Sequence, residues 1–306
     1  MKLHQMRYIR EVARHGCNVS MAAEALHTSQ PGVSKQIQLL EEELGLQIFN
    51  RNGKRLTGIT EPGQLVLQMA ERVLLEIESI RRVGEEFCRT DTGTLTVATT
   101  HTQARYRLPP AVKAFTEQFP NVRLNIHQGN PTQVAELVIN GEADIGIATE
   151  GLSNHPELVT LPCYQWNRCV VTPQGHPLLQ ETPLTLEKIA RYPVVTYDFA
   201  FAGGSLVNRI FSEAGVDLNV VFTAIDSDVV KTYVELGMGI GLLAQMAYNP
   251  ERDTNLAMLD ASHLFPNSTT LIALRRDGYL RGFAYAFLHH LAPHLDRATV
   301  DAVLGE

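Results

Sequence analysis

The chain has 306 residues, 44% of them hydrophobic and 19% charged, with 26 Lys and Arg against 33 Asp and Glu for a formal net charge of -7. Such a composition belongs to a globular protein of about two domains and excludes a fibre or a disordered tail. No apolar run approaches the roughly 20 residues of a bilayer span, and residues 1–16 carry charges where an export signal needs an unbroken apolar core, so a cytoplasmic protein with no membrane contact is expected.

Residues 3–15 place Leu3, Met6, Ile9, Val12 and Ala13 at steps of three and four, the period of an amphipathic helix. A second short helix is expected over 19–26, capped by Asn18. After the turn His27-Thr28-Ser29, Pro31 suits the first position of a third helix whose buried stripe is Val33, Ile37, Leu40 and Leu44. The apolar pieces 46–49 and 56–59 flank Arg51-Asn52-Gly53-Lys54-Arg55, and Asn-Gly is a strong hairpin signal. Three helices and a basic-tipped hairpin make a winged helix-turn-helix over residues 1–60. The charge is distributed accordingly. Residues 1–62 hold eight Lys and Arg against six acids, a net +2, which leaves -9 for the remainder.

A helix-turn-helix offers the start of its second helix to the major groove, where side chains reach base edges. Ser29, Gln30, Pro31, Ser34, Lys35 and Gln38 occupy that place, and Gln and Lys suit adenine and guanine respectively. Arg51, Lys54 and Arg55 at the hairpin tip are placed for backbone phosphates, although a basic tip by itself is equally an ordinary solvated turn. Double-stranded DNA is therefore the expected partner of the head.

From Pro62 a long helix is expected to about Phe87, within a linker of 61–90. Val66, Met69, Val73, Ile77, Ile80 and Phe87 recur at three or four residues, or at twice that spacing. A stripe this long calls for a coiled-coil partner in a second copy, or else for packing on the chain's own C-terminal part. Beyond Gly93 the pattern alternates: strands at 95–99, 122–127 and 144–149, with helices at 108–119 and 132–140 between them. That order implies a parallel sheet with ligands at the carboxyl ends of its strands. Strands at 168–172, 194–197, 220–223 and 239–244, with helices at 186–190, 205–214 and 228–236, form a second run. A strand at 269–274 and a helix at 278–290 return to the first. The effector part, 91–306, thus divides into subdomain I, about 91–162 and 268–306, and subdomain II, about 163–267.

The turn Thr100-His101-Thr102-Gln103 follows a strand and precedes a helix, so amides and hydroxyls converge where a small anion would sit. Pro131-Thr132-Gln133 opens the next helix in the same way, and Thr149 ends the third strand. Neutral Thr and Gln donors suit sulfate or a small carboxylate; without a ligand they read as helix caps.

The motifs Ala22-Ala23, Leu26, Ser29-Gln30-Pro31, Val33-Ser34, Ile37, Leu40-Glu41 and Leu44-Gly45 resemble the head of the LysR-type transcriptional regulators, and Arg51, Leu56, Thr57, Thr60 and Gly63 continue the match. Residues 98–106, Gly141-Glu142-Ala143-Asp144, 226–233 and 237–241 look like the CysB branch, which activates sulfur assimilation and cysteine biosynthesis. The resemblance implies two Rossmann-like, periplasmic-binding-protein-like subdomains, a homotetramer built as a dimer of dimers, and contacts to promoter DNA and RNA polymerase. It also implies effector contacts at Thr100, Thr102, Gln103 and Thr149. One departure matters. That branch carries threonine where Ala202 follows the Tyr-x-Phe-x-Phe run, so the backbone amides of Ala202 and Gly203 must serve instead, or the pocket is wider.

No cofactor, metal or catalytic site is expected. Gly237-Met238-Gly239-Ile240-Gly241 has G-x-G-x-G spacing after a helix, unlike a dinucleotide loop. His289, His290 and His294 lack acidic or cysteine partners at ligand spacing, and Ser205 lacks the nucleophile elbow. Cys17, Cys88, Cys163 and Cys169 form no C-x-x-C pair. The rival readings are a regulator of the same family answering to an unrelated small anion, a non-regulatory solute-binding module, and an enzyme.

Overall fold

The computed structural model describes the chain except Lys54, Arg89, Thr90, residues 198–201, Asp277 and Glu306; for Cys88, Glu150 and residues 202–205 it describes the backbone alone. Two compact units result, residues 1–85 and 86–306. In the first, α1 (Leu3–Arg14), α2 (Val19–Ala25) and α3 (Gln30–Leu44) pack around Ile9, Val12, Val33, Ile37 and Leu40. The caps are local. Asn18 Oδ1 accepts from the Ser20 and Met21 amides, Ser29 Oγ accepts from Gly32 N at 3.3 Å, and Gly45 ends α3 with φ 68°.

The hairpin pairs β1 (Phe49–Asn52) with β2 (Arg55–Ile59), antiparallel, from Phe49 opposite Ile59 to Asn52 opposite Arg55. β1 starts at Phe49, where the apolar pattern suggested 46–49. The reason lies in α3: the Glu41 carboxylate accepts the amides of Ile48 at 2.8 Å and Phe49 at 3.1 Å, so that stretch bonds a side chain instead of a strand. Next, α4 (Glu61–Cys88) buries Leu67, Ala70 and Leu74 in the same core. It enters against backbone, since a Cβ on Gly63 would lie 2.1 Å from Ile48 O. Its other face leaves Met69, Val73, Ile80 and Phe87 at 64%, 48%, 69% and 85% exposure, while Val66 and Ile77 are half-buried.

The second unit has two lobes. The first is built from β3 (Gly93–Thr99), α5 (His101–Tyr106), α6 (Leu108–Gln118), β4 (Val122–Gln128), α7 (Pro131–Ile139), β5 (Ile145–Ala148) and β6 (Leu158–Trp166). The second lobe runs through β7 (Arg168–Pro173), α8 (Leu186–Ala190), β8 (Val194–Tyr197), α9 (Ala202–Glu213), β9 (Val220–Ala224), α10 (Ser227–Glu235), β10 (Ile240–Ala244) and β11 (Leu256–Asp260). The chain then returns through β12 (Ser268–Arg275), α11 (Gly282–Leu291) and α12 (Arg297–Leu304). Strand orders are β4-β3-β5-β12-β6 and β11-β7-β10-β8-β9.

Both sheets are mixed, not purely parallel. β3 runs parallel to β4 and β5, but the returning β12 is antiparallel to β5 and β6. In the second sheet β10 is parallel to β8 and antiparallel to β7. The first sheet keeps the chain to Trp166, past 162, and the crossings fall at Asn167 and Asn267. Asn167 Nδ2 ties them together, donating to Asn267 Oδ1 at 2.8 Å and Phe265 O at 3.1 Å.

Candidate functional site

On α3 the buried stripe leaves Ser29, Gln30, Pro31, Lys35 and Gln38 exposed and Ser34 half-buried, so the helix shows solvent a polar N-terminal face. Two of these side chains are already engaged. Ser29 caps the helix, and Gln38 Nε2 donates to Glu42 Oε1 at 2.8 Å. Arg51, expected at the hairpin for a phosphate contact, is exposed on β1, and its guanidinium also reaches Glu41 Oε2 at 2.5 Å. A buried carboxylate holding two amides outcompetes solvent for the nearest cation, because its charge in a low-dielectric site needs compensation. Arg55 stays exposed at the start of β2, and Lys54 lies outside the described residues.

In the second unit the carboxyl ends of β3 and β5 lie side by side, with Thr99 Oγ1 donating to Ile147 O at 2.9 Å. Thr100 occupies the N-cap position of α5 and Thr149 that of a 3-10 turn; both residues are almost fully buried. Gln103 is 2% exposed, with Nε2 donating to Thr270 Oγ1 at 3.2 Å and Oε1 accepting from Tyr164 Oη. Its amide is thus spent inside the first lobe. Gln133 is engaged elsewhere too: it forms a capping box with Asn130, its Oε1 accepting that amide at 2.9 Å. Ala202 and Gly203 open α9, with backbone alone described, and Phe199-Ala200-Phe201 lies outside the described residues.

Thr102 faces the other lobe. Its Oγ1 is 3.3 Å from Ser227 Oγ, which lies 2.7 Å from Tyr197 Oη, and Tyr197 Oη accepts the Ala244 amide at 3.1 Å. Burial pushes the Tyr197 phenol above its ordinary value, so the proton stays on. The same two segments meet in two further contacts: His101 Nε2 lies 3.0 Å from Asp226 Oδ2, and Arg105 Nε forms an ion pair with Asp228 Oδ2 at 3.1 Å. Tyr106 Oη donates to Asp228 Oδ1 at 2.5 Å; burial first, and that carboxylate second, push the phenol up to about 12.

Beneath this seam Lys231 is 7% exposed. Its ammonium reaches Asp253 Oδ1 at 2.9 Å and Oδ2 at 3.1 Å, Ala247 O at 2.9 Å and Asp228 Oδ1 at 3.2 Å. Burial alone would lower its affinity for the proton, but the bonds to Asp253, Tyr106 and Asp228 outweigh that and hold it charged. Burial also opposes the charge on Asp228, and Tyr106, Lys231 and Arg105 together pull its carboxyl below the usual range.

Sequence reading missed Ser227, Tyr197 and Lys231 as members of this site. The available signal was Asp226, whose side chain accepts from Asp228 N at 2.7 Å and marks 227 as the first residue of a helix facing α5. The glycine run proves structural. Gly237 ends α10 with φ 79°, and a Cβ on Gly239 would sit 2.2 Å from Pro193 O. His290 bonds Gln118 and His294 bonds Pro162 O, and among the described residues no group of His, Cys, Asp and Glu is arranged to hold a metal. No described helix is long and apolar enough to cross a membrane.

Two family descriptions match the chain: "Bacterial regulatory helix-turn-helix protein, lysR family" over residues 3–64 and "LysR substrate binding domain" over residues 89–296. The HTH-type transcriptional regulator SsuR of Burkholderia cenocepacia is 53% identical over 306 residues, 100% of this chain and 99% of that protein. The HTH-type transcriptional regulator CysB of the same organism is 50% identical over 304 residues, 99% of this chain and 97% of that protein. Among solved structures, the cofactor-binding domain of the Cbl transcriptional regulator superposes with a TM-score of 0.67 at 45% identity, covering 70% of this chain and 95% of that one.

Proposed function

The chain belongs to the LysR family of transcriptional regulators, in the sulfur-metabolism branch with SsuR, CysB and Cbl, and on that premise we propose that it senses a small sulfur-linked anion between its lobes and mainly activates sulfur-assimilation and cysteine-biosynthesis promoters. It is a regulator and not an enzyme. The effector is acetylserine, sulfate or thiosulfate. The observation that carries the sensing half is the Thr102 hydroxyl, set at the meeting of the lobes with Thr100 on the same turn. Ligand acts by its differential affinity for two arrangements of the assembly, and the output is altered DNA bending and contact with RNA polymerase. The exposed stripe Met69, Val73, Ile80 and Phe87 supports pairing of α4 with a second copy, and two such pairs make the homotetramer. Alanine at 202, where the branch has threonine, favours the second reading, a different small anion at the same site.

A gel shift of the full chain on a sulfur-assimilation promoter tests the reading. Binding at moderate salt is expected, and none would sink it. Within that frame Gln30→Ala should cost about 1–3 kcal/mol of specific promoter affinity without altering ligand titrations; a loss of ligand affinity in this variant would show that the chain is divided wrongly. Thr102→Ala should weaken effector binding by about 1–3 kcal/mol, the cost of an unpaired anion oxygen. Calorimetry with acetylserine, sulfate and thiosulfate reads this directly, and unchanged isotherms would refute the assignment.

A further inference from the structure

Three hydroxyls drawn from both lobes stand in a row. Thr102 Oγ1 comes from α5 in the first lobe, Ser227 Oγ from the first residue of α10 and Tyr197 Oη from the end of β8. The far end of the row is fixed, because the Ala244 amide that Tyr197 accepts can only donate. Tyr197 Oη lies 2.7 Å from Ser227 Oγ, an ordinary O–H···O length at which either hydroxyl can donate. Ser227 Oγ in turn faces Thr102 Oγ1, and either of these hydroxyls can donate. The last link is slack. At 3.3 Å it exceeds the usual range for two hydroxyls.

Burial gives the row a closed end and an open one. Ser227 is 0% and Tyr197 7% exposed, while Thr102 is half-buried at the seam. The contact of His101 with Asp226 and the ion pair of Arg105 with Asp228 hold the two helices in this register. At the open end, therefore, two hydroxyls from opposite lobes face each other at 3.3 Å, and both can turn a proton toward a shared acceptor.

We propose that Ser227 is a ligand-binding, specificity-determining residue, whose hydroxyl joins that of Thr102 in donating to one oxygen of a small sulfur oxyanion. An oxyanion oxygen can take both protons at once in charge-assisted bonds, whereas a neutral hydroxyl there would take them more weakly. The second lobe, with alanine at 202, thus still offers a hydroxyl, from α10 instead of the start of α9. Tyr197 is a positioning residue: it acts through Ser227, whose hydroxyl it holds at 2.7 Å. The inference rests on Thr102 belonging to the ligand site.

The test is calorimetric titration of the full-length chain with sodium sulfate and with sodium thiosulfate, for wild type, Thr102→Ala, Ser227→Ala and the double variant. Ser227→Ala should weaken binding about tenfold, as expected for one lost hydrogen bond to a charged oxygen, with an unchanged circular dichroism spectrum. Because the two hydroxyls share an oxygen, its effect in the Thr102→Ala background should fall to less than about threefold. A Ser227→Ala titration like wild type beside a weakened Thr102→Ala overturns the role of Ser227 and leaves the ligand site standing. The same loss in both backgrounds means that Ser227 acts only through structure, and overturns the shared oxygen. If both single variants titrate as wild type, or the wild type binds neither anion, the site reading falls and the inference with it.

Discussion

Lys231→Ala is expected to destabilise the second unit by about 3–5 kcal/mol, the cost of breaking a buried ion pair by removing one partner. The ammonium satisfies both oxygens of Asp253, one of Asp228 and the Ala247 carbonyl. Asp253 is 8% exposed, and without Lys231 its charge stays buried, with the Asn249 amide at 2.8 Å the one further hydrogen-bond donor to it among the described residues. The chain's one tryptophan, Trp166, ends β6 in this unit, so its fluorescence follows unfolding of the second unit in urea within the full chain. A loss below about 1 kcal/mol would mean that the pair is worth no more than a solvated surface bridge.

Glu41→Ala should cost the head about 2–4 kcal/mol, because two buried amides lose their acceptor together with an ion pair. Ile48 and Phe49 are both 0% exposed, so water cannot replace the carboxylate without opening the core beside the hairpin. Promoter affinity should fall with stability, since the same carboxylate fixes where the hairpin leaves α3 and where Arg51 points. Glu41→Gln, which keeps one acceptor but no charge, should lie between. Thermal melting of the head followed by circular dichroism measures the effect, and a midpoint within about 2 °C of wild type for Glu41→Ala would sink the assignment.

The alternating pattern of residues 95–149 was readable because each strand is short, apolar and followed by a helix with its own start signal. β6 was not. Pro162 interrupts it, which ordinarily argues against a strand, and here the proline sits at a register shift opposite Leu271. β11, reading Leu-Ala-Met-Leu-Asp, lacks the β-branched residues that advertise a strand. At the site, Thr100 and Thr102 were legible from strand-then-helix grammar, a local signal. Ser227, Tyr197 and Lys231 were not, because their roles come largely from partners distant in the chain, as far as 125 residues away for Ser227. Arg51 was placed in the hairpin by its local pattern, but its ion pair was not legible, because the carboxylate belongs to the preceding helix.

The position of β12 bears on the order in which the molecule can be assembled. Trp166 pairs with Ser268, so the whole of the second lobe occupies the place of a turn between two adjacent strands. Every strand of the second sheet has been synthesised by Asp260, from one unbroken stretch of chain. The first sheet has no such independence. β12 lies between β5 and β6, and β6 has no neighbour to bond until residues 268–275 arrive. On the ribosome the later lobe can finish first, and the earlier one waits, with an open edge, for nearly the last of its own sequence.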